Sequence, residues 1–520
     1  MIKEIEITIP PHRNEVESMK RIAASTLKID IDRIKTLRLI KRSLDARNTK
    51  PLYHVKLMVF IDKKAPADIA EPNYKNVSEA KQVIIVGAGP AGLFAGLRAL
   101  ELGLKPVIID RGKDVKARRR DLAAINKEQI INPESNYCFG EGGAGTYSDG
   151  KLYTRSKKRG DVRRVLETLV NFGAENEILA DAHPHIGTNK LPQIIIEIRE
   201  TIIKFGGEVN FESKMTDLLI EDNQVVGIEI NGERKLKADN VILATGHSAR
   251  DIYYMFNEKE IALEFKPFAL GVRIEHPQTL IDSIQYKTEE RGEFLPPSSY
   301  SLVSKTKERG TFSFCMCPGG IIAPCATSQE EVVTNGWSPS KRNNPFANSG
   351  IVTEIKEKDL GDFAHAGALK GLKFQENIER KCWIAGGKTQ VIPAQRLVDF
   401  MQDRVSEDLP ETSYIPGIKS VMLSEVLPNF IIRNLKIAFK QFEKRMTGFM
   451  TNDAVIHAPE SRTSSPVRIP RDRDTLQHIE IKGLYPCGEG AGYAGGIVSA
   501  AIDGQKCVER IAGFVEKPKS

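Results

Sequence analysis

The stretch that decides the fold is VIIVGAGPAGLFAGLRAL, residues 83–100, in which an apolar run, a glycine-rich turn and a helix-forming run follow one another without a gap. Its glycines at 87, 89 and 92 form the pattern GxGxxG. Gly87 permits a sharp turn, Gly89 lets the backbone approach a phosphate group, and Gly92 lets the helix pack closely on the strand. We therefore predict a strand–turn–helix unit that binds a pyrophosphate at the helix N-terminus.

A second anchor for a dinucleotide is predicted at Asp110, which ends the apolar run PVIID. A carboxylate about 20 residues after the glycine turn commonly accepts ribose hydroxyls. Pro90 and Ala91, which open the helix, and Arg111, which follows the acid, are predicted to contact the same ligand. Glycine clusters also occur in ordinary turns, but strand, helix, second strand and terminal acid together favour a nucleotide site.

The composition is that of a globular protein long enough for two or three domains. No run of eighteen apolar residues predicts a membrane span, and the first residues lack the apolar core of a signal peptide. The seven cysteines are scattered, which favours reduced thiols, and no CxxC pair predicts a metal site. We therefore expect a cytoplasmic protein that holds no metal and binds no membrane.

Residues 1–78 are predicted to form a small, basic α+β domain. Residues 1–65 hold fifteen Lys and Arg but only eight Asp and Glu, which accounts for the whole formal net charge of +7. Strand, helix, strand and strand are indicated in that order, with the helix running from about Glu15 to Leu27. Because no aromatic stacking surface accompanies the charges, we expect no nucleic-acid partner. The basic stripe consists of Lys35, Arg38, Lys41, Arg42 and Arg47.

A second glycine-rich stretch, NYCFGEGGAGTYSDGKL, covers residues 136–152. Five glycines within eleven positions exclude a helix or a regular strand. Such a loop can lie against a flat or charged ligand, and a plain flexible loop is the alternative. The predicted ligand contacts in it are Gly142, Gly143, Thr146, Ser148, Asp149 and Gly150.

The next elements resemble a known family. After a helix at LPQIIIEIRETIIK come strands at TDLLIEDN, QVVGIEING and ADNVILATG, and this order resembles the FAD domain of glutathione-reductase-type flavoproteins. The segments GEGGAGTYSDGKL, ATGHSARD, FCMCPGG, PESRTSSPVRIPRD and GLYPCGEGAGYAGGI resemble, in this order, the bacterial FAD-dependent, or NAD(FAD)-utilizing, dehydrogenases. The resemblance covers nearly the whole chain and implies an FAD-bound oxidoreductase without naming its substrate.

The resemblance also implies further cofactor contacts. Thr245 and Gly246 end the strand that returns beside the cofactor, and Gly488 and Glu489 match the place of an acidic residue on the ribityl chain. The helix that opens at Ile497, after Gly495 and Gly496, can direct its positive end at a ring edge or a phosphate. The alternative for this helix is a purely structural role in the core.

The predicted architecture is α/β. A Rossmann-like FAD-binding domain of glutathione-reductase type is built from residues 79–264 and 475–520, with an inserted β-rich cap, the substrate domain, at 265–474. No CxxxxC pair and no second strand–GxGxxG–helix unit occurs, so a disulfide reductase is not expected and NAD(P)H is expected to dock transiently.

The predicted function is flavin-mediated hydride transfer to or from a small-molecule substrate. Two alternatives belong to other classes. One is a nucleic-acid-associated flavoprotein of the RNA-modifying type, and the other is a non-catalytic flavin-binding protein. The sequence predicts no oligomeric state.

Cys315 and Cys317 are candidates for redox chemistry, because a CxC pair can exchange electrons or bind metal. Paired buried thiols are the more common outcome. Residues two apart on a regular strand have Cα atoms about 6.5–7 Å apart, at the limit for an unstrained disulfide. The flanking TFSF and PGGII contain no Lys, Arg or His. We therefore predict reduced, packed thiols.

Three other polar residues are open to two interpretations. His247, directly after ATG, can act as an acid or base near the flavin or form a structural hydrogen bond. Arg468 and Arg471, in PVRIPRD, can receive an acidic substrate or form surface salt bridges. For both arginines we expect surface salt bridges.

Overall fold

The computed structural model describes residues 1–48, 50–148, 150–153 and 160–513. Its N-terminal part is one antiparallel sheet with the strand order β1-β3-β2 and a helix packed on it. The elements are β1 (Ile2–Ile9), α1 (Val16–Leu27), β2 (Ile34–Asp45) and β3 (Leu52–Ile61). Within the ranges described, no helix combines the length and the apolar character needed to cross a membrane.

The N-terminal sheet is joined to the next part through β2. The amide of Arg42 donates to the Ala180 carbonyl (2.9 Å), and the amide of Ala182 donates to the Arg42 carbonyl (3.0 Å). The Arg42 guanidinium binds the Asp181 carboxylate at 2.7 Å. Further along the chain, the amide of Val77 donates to the Phe205 carbonyl at 2.9 Å. The chain therefore enters the central part before residue 78.

The central part alternates strands and helices, as the glycine pattern predicts. Its elements are β4 (Gln82–Val86), α2 (Pro90–Leu102), β5 (Lys105–Ile109), α3 (Val115–Glu128), α4 (Val162–Asn171), α5 (Leu191–Lys204), β6 (Glu208–Asn210), β7 (Met215–Glu221), β8 (Gln224–Ile230), β9 (Arg234–Lys237), β10 (Val241–Leu243) and α6 (Arg250–Glu258). Strands β7, β8 and β9 form a separate antiparallel sheet. The sequence interpretation missed β9, because this largely exposed strand of Arg, Lys and Leu has no apolar alternation.

A mixed sheet of seven strands dominates the inserted region. The elements are β11 (Glu264–Phe265), β12 (Phe268–Pro277), α7 (Gln278–Tyr286), β13 (Val303–Lys305), β14 (Gly310–Cys317), β15 (Ile321–Pro324), β16 (Thr334–Trp337), β17 (Phe346–Ile355), α8 (Lys370–Ala385), β18 (Ile392–Arg396), α9 (Leu397–Met401), β19 (Ile418–Ser420), α10 (Asn429–Arg445), β20 (Val455–Glu460) and β21 (Val467–Arg468). The strand order is β13-β14-β17-β12-β20-β18-β19. Strands β11 and β21 pair where the chain enters and leaves this region.

The C-terminal segment completes the central sheet. It contributes β22 (Leu484–Pro486) and α11 (Ile497–Ile511). Five parallel strands then stand in the order β22-β10-β4-β5-β6. Helix α11 lies so close to α2 that a Cβ on Gly504 would be 2.0 Å from the Ala91 carbonyl oxygen. This mixed arrangement confirms the predicted α/β class with a Rossmann-like domain, and ligands of such sheets bind at the carboxyl ends of the strands.

Candidate functional site

A cavity of about 410 Å³ lies at the carboxyl edge of the parallel sheet. It extends from the glycine turn to strands of the inserted region, where Phe314, Asn335 and Trp337 line it. Most of the residues predicted for the site also line it. They are Gly87, Gly89, Pro90, Ala91, Asp110, Arg111, Gly143, Ser148, Gly150, Thr245, Gly246, His247, Cys315, Gly488, Glu489, Gly495, Gly496 and Ile497.

Glycine stands at the three positions of the first turn for different physical reasons. Gly87 has φ +110°, and a Cβ there would lie 2.4 Å from the Ala244 carbonyl oxygen. A Cβ on Gly92 would lie 1.8 Å from the Gly87 carbonyl oxygen. Gly89 is different, because its Cβ would meet only the Cα of Gly143, at 3.9 Å. Packing therefore demands Gly87 and Gly92, whereas Gly89 leaves open space for a ligand.

Two helix N-termini meet at this cavity. Helix α2 begins after Gly89 and helix α11 after Gly496, and in the described part of the chain no side chain caps either one. A Cβ on Gly495 or Gly496 would meet no atom within 4 Å. Uncapped N-termini carry unpaired amides and a positive partial charge. The pair can therefore bind two electron-rich groups of one extended ligand, and the pyrophosphate and flavin of FAD fit this requirement.

Asp110 is held in a fixed position. Its carboxylate accepts the amides of Ala88 (2.8 Å), Gly112 (2.8 Å) and Gly140 (3.0 Å). It lines the cavity although it is only 8% exposed. A carboxylate has about four acceptor positions, so capacity is left for ribose hydroxyls. The sequence missed a second role, because Asp110 also ties the second glycine-rich loop to the first.

Arg118 organises the second glycine-rich loop from inside. Its guanidinium is fully buried and donates to the carbonyl oxygens of Asn136 (2.7 Å), Tyr137 (2.9 Å), Glu141 (2.9 Å) and Gly143 (2.9 Å). A loop fixed by four hydrogen bonds to one side chain differs from the plain flexible loop considered as an alternative. Sequence analysis missed Arg118 because a buried arginine on a charged helix is indistinguishable from its exposed neighbours.

Several predicted contacts lie behind the cavity wall. Gly92 serves the packing of α2, and a Cβ on Gly142 would lie 2.0 Å from the hydroxyl oxygen of Thr146. Thr146 is fully buried and donates to a carbonyl of its own loop at 2.7 Å. Cys317 is also fully buried. The placements of Gly142 and Thr146 correct the expectation of direct ligand contact, whereas Gly92 and Cys317 lie in the packed positions that the sequence also predicts for them. Asp149 lies outside the described residues.

The loop of Gly488 is positioned by a buried ion pair. Arg471 binds Asp503 at 2.7 Å, and the other carboxylate oxygen of Asp503 accepts the Gly488 amide at 2.7 Å. Although burial lowers it, the Asp503 carboxylate raises the pKa of Arg471 above its ordinary value. The expected surface salt bridge of Arg471 is therefore wrong, since its side chain is 8% exposed. The pair of Arg468 and Glu264 does lie at the surface.

His247 and Glu489 form a polar pair within the cavity lining. The Nδ1 atom of His247 lies 3.3 Å from a carboxylate oxygen of Glu489. Both side chains are partly exposed. An imidazole next to a carboxylate can hold or pass on a proton.

Lys151 was missed by sequence analysis and contacts the CxC pair. Its Nζ atom lies 3.8 Å from the Sγ of Cys315 and 3.5 Å from the Sγ of Cys317. The two sulfur atoms are 4.0 Å apart. Cys315 has φ +47°, and the strand register shifts between Phe314 and Cys317. The predicted regular strand and the predicted lack of nearby positive charge are both wrong.

A buried network of charges joins the central part to the inserted region. Arg462 contacts Glu331 at 2.5 Å and Glu379 at 3.1 Å, and it also donates to the Ser248 hydroxyl at 3.2 Å. Arg250 binds the same two carboxylates. Although burial raises it, Arg462 and Arg250 lower the pKa of Glu331 to about 2. No sequence pattern pairs these residues, which are far apart in the chain.

Three family profiles match the chain. Residues 81–266 match "pyridine nucleotide-disulphide oxidoreductase", and residues 267–463 match "FAD-dependent protein, C-terminal domain-like". Residues 1–60 match a domain of unknown function.

Similar proteins were found at several distances. An "uncharacterized protein" of Clostridium beijerinckii is 37% identical over 538 residues, covering 100% of this chain and 99% of that protein. A tRNA uridine 5-carboxymethylaminomethyl modification enzyme of Streptococcus agalactiae is 23% identical over 45% of this chain and 37% of its own length. Among solved structures, the open conformation of a flavocytochrome c3 fumarate reductase has a TM-score of 0.36 at 13% identity, covering 84% of this chain and 78% of that one.

The two larger profile matches adjoin at residue 266, which is where the structure passes from the central part into the inserted region. FAD is the cofactor that these matches indicate, and the glycine turn and the two open helix N-termini fit it. Together with the Clostridium beijerinckii protein, the chain belongs to a family of FAD-dependent oxidoreductases.

Proposed function

We propose that the protein transfers a hydride between its FAD and a small molecule held against the inserted region, with NAD(P)H as a transient reductant. The observation that carries this proposal is the continuity of the cavity. It begins at the glycine turn and ends at Phe314, Asn335 and Trp337. Aromatic walls with a few convergent polar groups are typical of small-ligand sites.

Each end of the cavity has its own task in this reaction. Bound FAD supplies the hydride chemistry. The N-terminus of α2 binds the pyrophosphate, and Asp110 positions the ribose. Phe314 and Trp337 exclude water from the reacting end. His247, whose Nδ1 atom faces Glu489, holds or releases the proton that accompanies the hydride.

The sequence shows no second dinucleotide-binding motif that could hold NAD(P)H tightly. The sequence carries one strand–GxGxxG–helix unit, and the proposal gives that unit to FAD. NAD(P)H then docks on the open face of the cavity without a domain of its own. We therefore expect reduction by NADH or NADPH to be slow and weakly saturable unless the second substrate is present.

Anaerobic stopped-flow spectroscopy of the holoenzyme tests this proposal. Flavin absorbance is followed after mixing with NADH or with NADPH, and photoreduction of the same sample establishes that the flavin is reducible. We expect slow bleaching with a rate that rises nearly linearly with nicotinamide concentration. Fast, tightly saturable bleaching would reveal a dedicated nicotinamide site, and no bleaching at all would exclude NAD(P)H as the reductant.

Action on RNA is a second candidate, which two observations favour. A tRNA-modifying enzyme matches 45% of the chain, and the N-terminal part is basic. The three arginines of the basic stripe are paired within the protein, however. Arg42 binds Asp181 at 2.7 Å, and Arg47 binds Asp45 at 2.6 Å. We therefore rank hydride transfer to a small molecule first.

A further inference from the structure

The end of the cavity that the inserted region lines, called the inner end below, has one unusual feature. This feature is the arrangement of Cys315 and Cys317. In a regular strand, residues two apart are held at a fixed spacing of nearly two rises. Here the strand is bulged, and Cys315 has a left-handed φ of +47°. A bulge changes the direction in which a side chain points, and a non-glycine residue adopts a positive φ only where the surrounding structure imposes it. The result is a sulfur–sulfur distance of 4.0 Å.

The two thiols differ in exposure and in hydrogen bonding. Cys315 is half-buried and lines the cavity, whereas Cys317 is fully buried behind it. The thiol of Cys317 donates to the Cys315 carbonyl oxygen at 3.3 Å. Cys315 is therefore the thiol that faces the ligand, and Cys317 is the partner that can resolve an oxidised sulfur.

One lysine contacts both thiols of the pair. The Lys151 ammonium lies within 3.8 Å of both sulfur atoms and donates to the Met316 carbonyl between them. Arg273 donates to the Cys315 carbonyl at 3.4 Å, but it is already bound to Glu460 at 2.7 Å. Lys151 is thus the cation placed to stabilise a thiolate, which is the reactive form of cysteine.

We propose that Cys315 and Cys317 form a redox-active pair that exchanges two electrons with the flavin. The two thiols lose two electrons and two protons, and one sulfur–sulfur bond forms. Oxidised flavin accepts the two electrons with one proton, and the second proton passes to solvent. In the reverse direction, two electrons and one proton from the reduced flavin, with a second proton from solvent, would cleave the disulfide and restore both thiols. This inference rests on the proposed flavin chemistry in the same cavity.

The step requires little movement. A disulfide has a sulfur–sulfur distance of about 2.0 Å, so bond formation must bring the two sulfur atoms about 2 Å closer than their present 4.0 Å. The half-buried position of Cys315 leaves room on the cavity side. A regular strand would instead hold the two Cα atoms near the upper limit for a disulfide.

An anaerobic reductive titration of the holoenzyme tests the inference directly. The protein is first treated with diamide, an oxidant that forms disulfides, freed of the reagent and then photoreduced in measured steps. We expect uptake of four electrons per FAD, two by the flavin and two by the disulfide. The free-thiol count should rise by two over the same titration. In Cys315→Ser and in Cys317→Ser we expect two electrons and no rise.

Cys382→Ala is the matched control, since Cys382 is fully buried in helix α8 and does not line the cavity. It lowers the total thiol count by one in both states but should keep the difference of two. Uptake of two electrons by the wild-type protein, with an unchanged thiol count, would overturn the inference. So would uptake of four electrons that survives in Cys315→Ser, because the extra electrons would then belong to another pair.

The role of Lys151 has a separate readout that does not follow the flavin. In the reduced holoenzyme, Lys151→Met should slow the alkylation of Cys315 by iodoacetamide at neutral pH by about tenfold, because less thiolate is present. Lys151→Arg keeps the charge and should largely restore the rate. Equal rates in all three proteins would remove Lys151 from the proposal. Failure of nicotinamide to reduce the flavin would contradict the proposed function and leave both thiol measurements valid.

Discussion

The two ends of the cavity differ in which parts of the chain form their walls. At the glycine-turn end, the wall is largely main chain, and the N-terminus of α2 with open space before Gly89 forms the binding surface. At the inner end, side chains from distant segments meet, including Lys151, Cys315 and Trp337. Ligand binding at the first end depends on the space that glycines leave free, whereas the structure of the second end depends on side-chain charges that neutralise one another. Adding a side chain should therefore damage the first end, and removing one should damage the second.

The largest expected effect is at Gly89. In Gly89→Val the side chain would enter the open space in front of α2, where its Cβ meets only the Cα of Gly143 at 3.9 Å. The protein should fold, since φ is −76° at this position. FAD affinity should fall by at least about 100-fold, or about 2.7 kcal/mol. The FAD-to-protein ratio of the purified variant and its reconstitution by titration measure this loss.

Gly92→Ala separates loss of ligand space from loss of packing. Its Cβ would collide with the Gly87 carbonyl oxygen at 1.8 Å, so we expect a lower unfolding temperature together with FAD loss. Gly89→Val should lose FAD with the apoprotein melting as the wild-type apoprotein does. Normal FAD binding by Gly89→Val would place the pyrophosphate elsewhere in the cavity.

The inner end is broken by removing a charge. Arg462→Met deprives the buried Glu331 and Glu379 of one of the two arginines that pair with them. Truncating one partner of a buried ion pair commonly costs about 3–5 kcal/mol, because the remaining charge stays buried without its partner. We expect a clearly lower free energy of unfolding, measured by urea titration, with a smaller loss of FAD than in Gly89→Val.

Arg380→Met is the control for this variant. Arg380 pairs with Glu330, but the two side chains are 58% and 57% exposed. Exposed pairs contribute about 0–1 kcal/mol, so the unfolding transition should hardly move. A larger FAD loss in Arg462→Met than in Gly89→Val would reverse the comparison between the two ends.

The same contrast explains what the sequence could predict. The glycine turn and its helix are encoded in one run, so their spacing alone indicates a strand, a turn and a ligand. Strand β9 is charged, and its identity comes from pairing with β8. The contact of Lys151 with the cysteines links residues 164 and 166 positions apart, and no local pattern carries it. Arg471 is buried by tertiary contacts, although the sequence around it predicts a surface residue.

The pH dependence of the inserted sheet gives a smaller effect. Burial lowers the pKa of His457 to about 4, and that of His276 to about 4 as well. An unfolded histidine has a pKa of about 6.5. Between these values the unfolded chain binds protons that the folded protein excludes, so stability is lost as the pH falls from about 6.5 to about 4. Each histidine contributes up to about 3 kcal/mol to this loss.

His457→Gln should therefore flatten the pH profile. We expect the variant to be less stable than the wild type at pH 7, because the hydrogen bonds of His457 to Thr412 and to the Arg273 carbonyl are disturbed. The difference should shrink toward pH 4.5 in urea titrations. His365→Gln, at an exposed position of the same region, should reproduce the wild-type slope. A slope that His457→Gln leaves unchanged would assign the acid sensitivity to other groups.

The smallest effect on either end is expected from removing the N-terminal sheet, none of whose residues lines the cavity. The deletion should cover residues 1–72, because Tyr74 already packs on Phe205 with ring centroids 5.6 Å apart. We expect the shortened protein to keep its FAD and its rate of nicotinamide reduction.

The full chain and the shortened chain are then titrated with RNA at two salt concentrations. Binding driven by phosphate contacts weakens steeply with salt, and all three arginines of the basic stripe are already paired within the protein. Weak binding by both chains supports a small-molecule substrate, whereas micromolar, salt-sensitive binding that the deletion abolishes would favour the RNA-directed alternative.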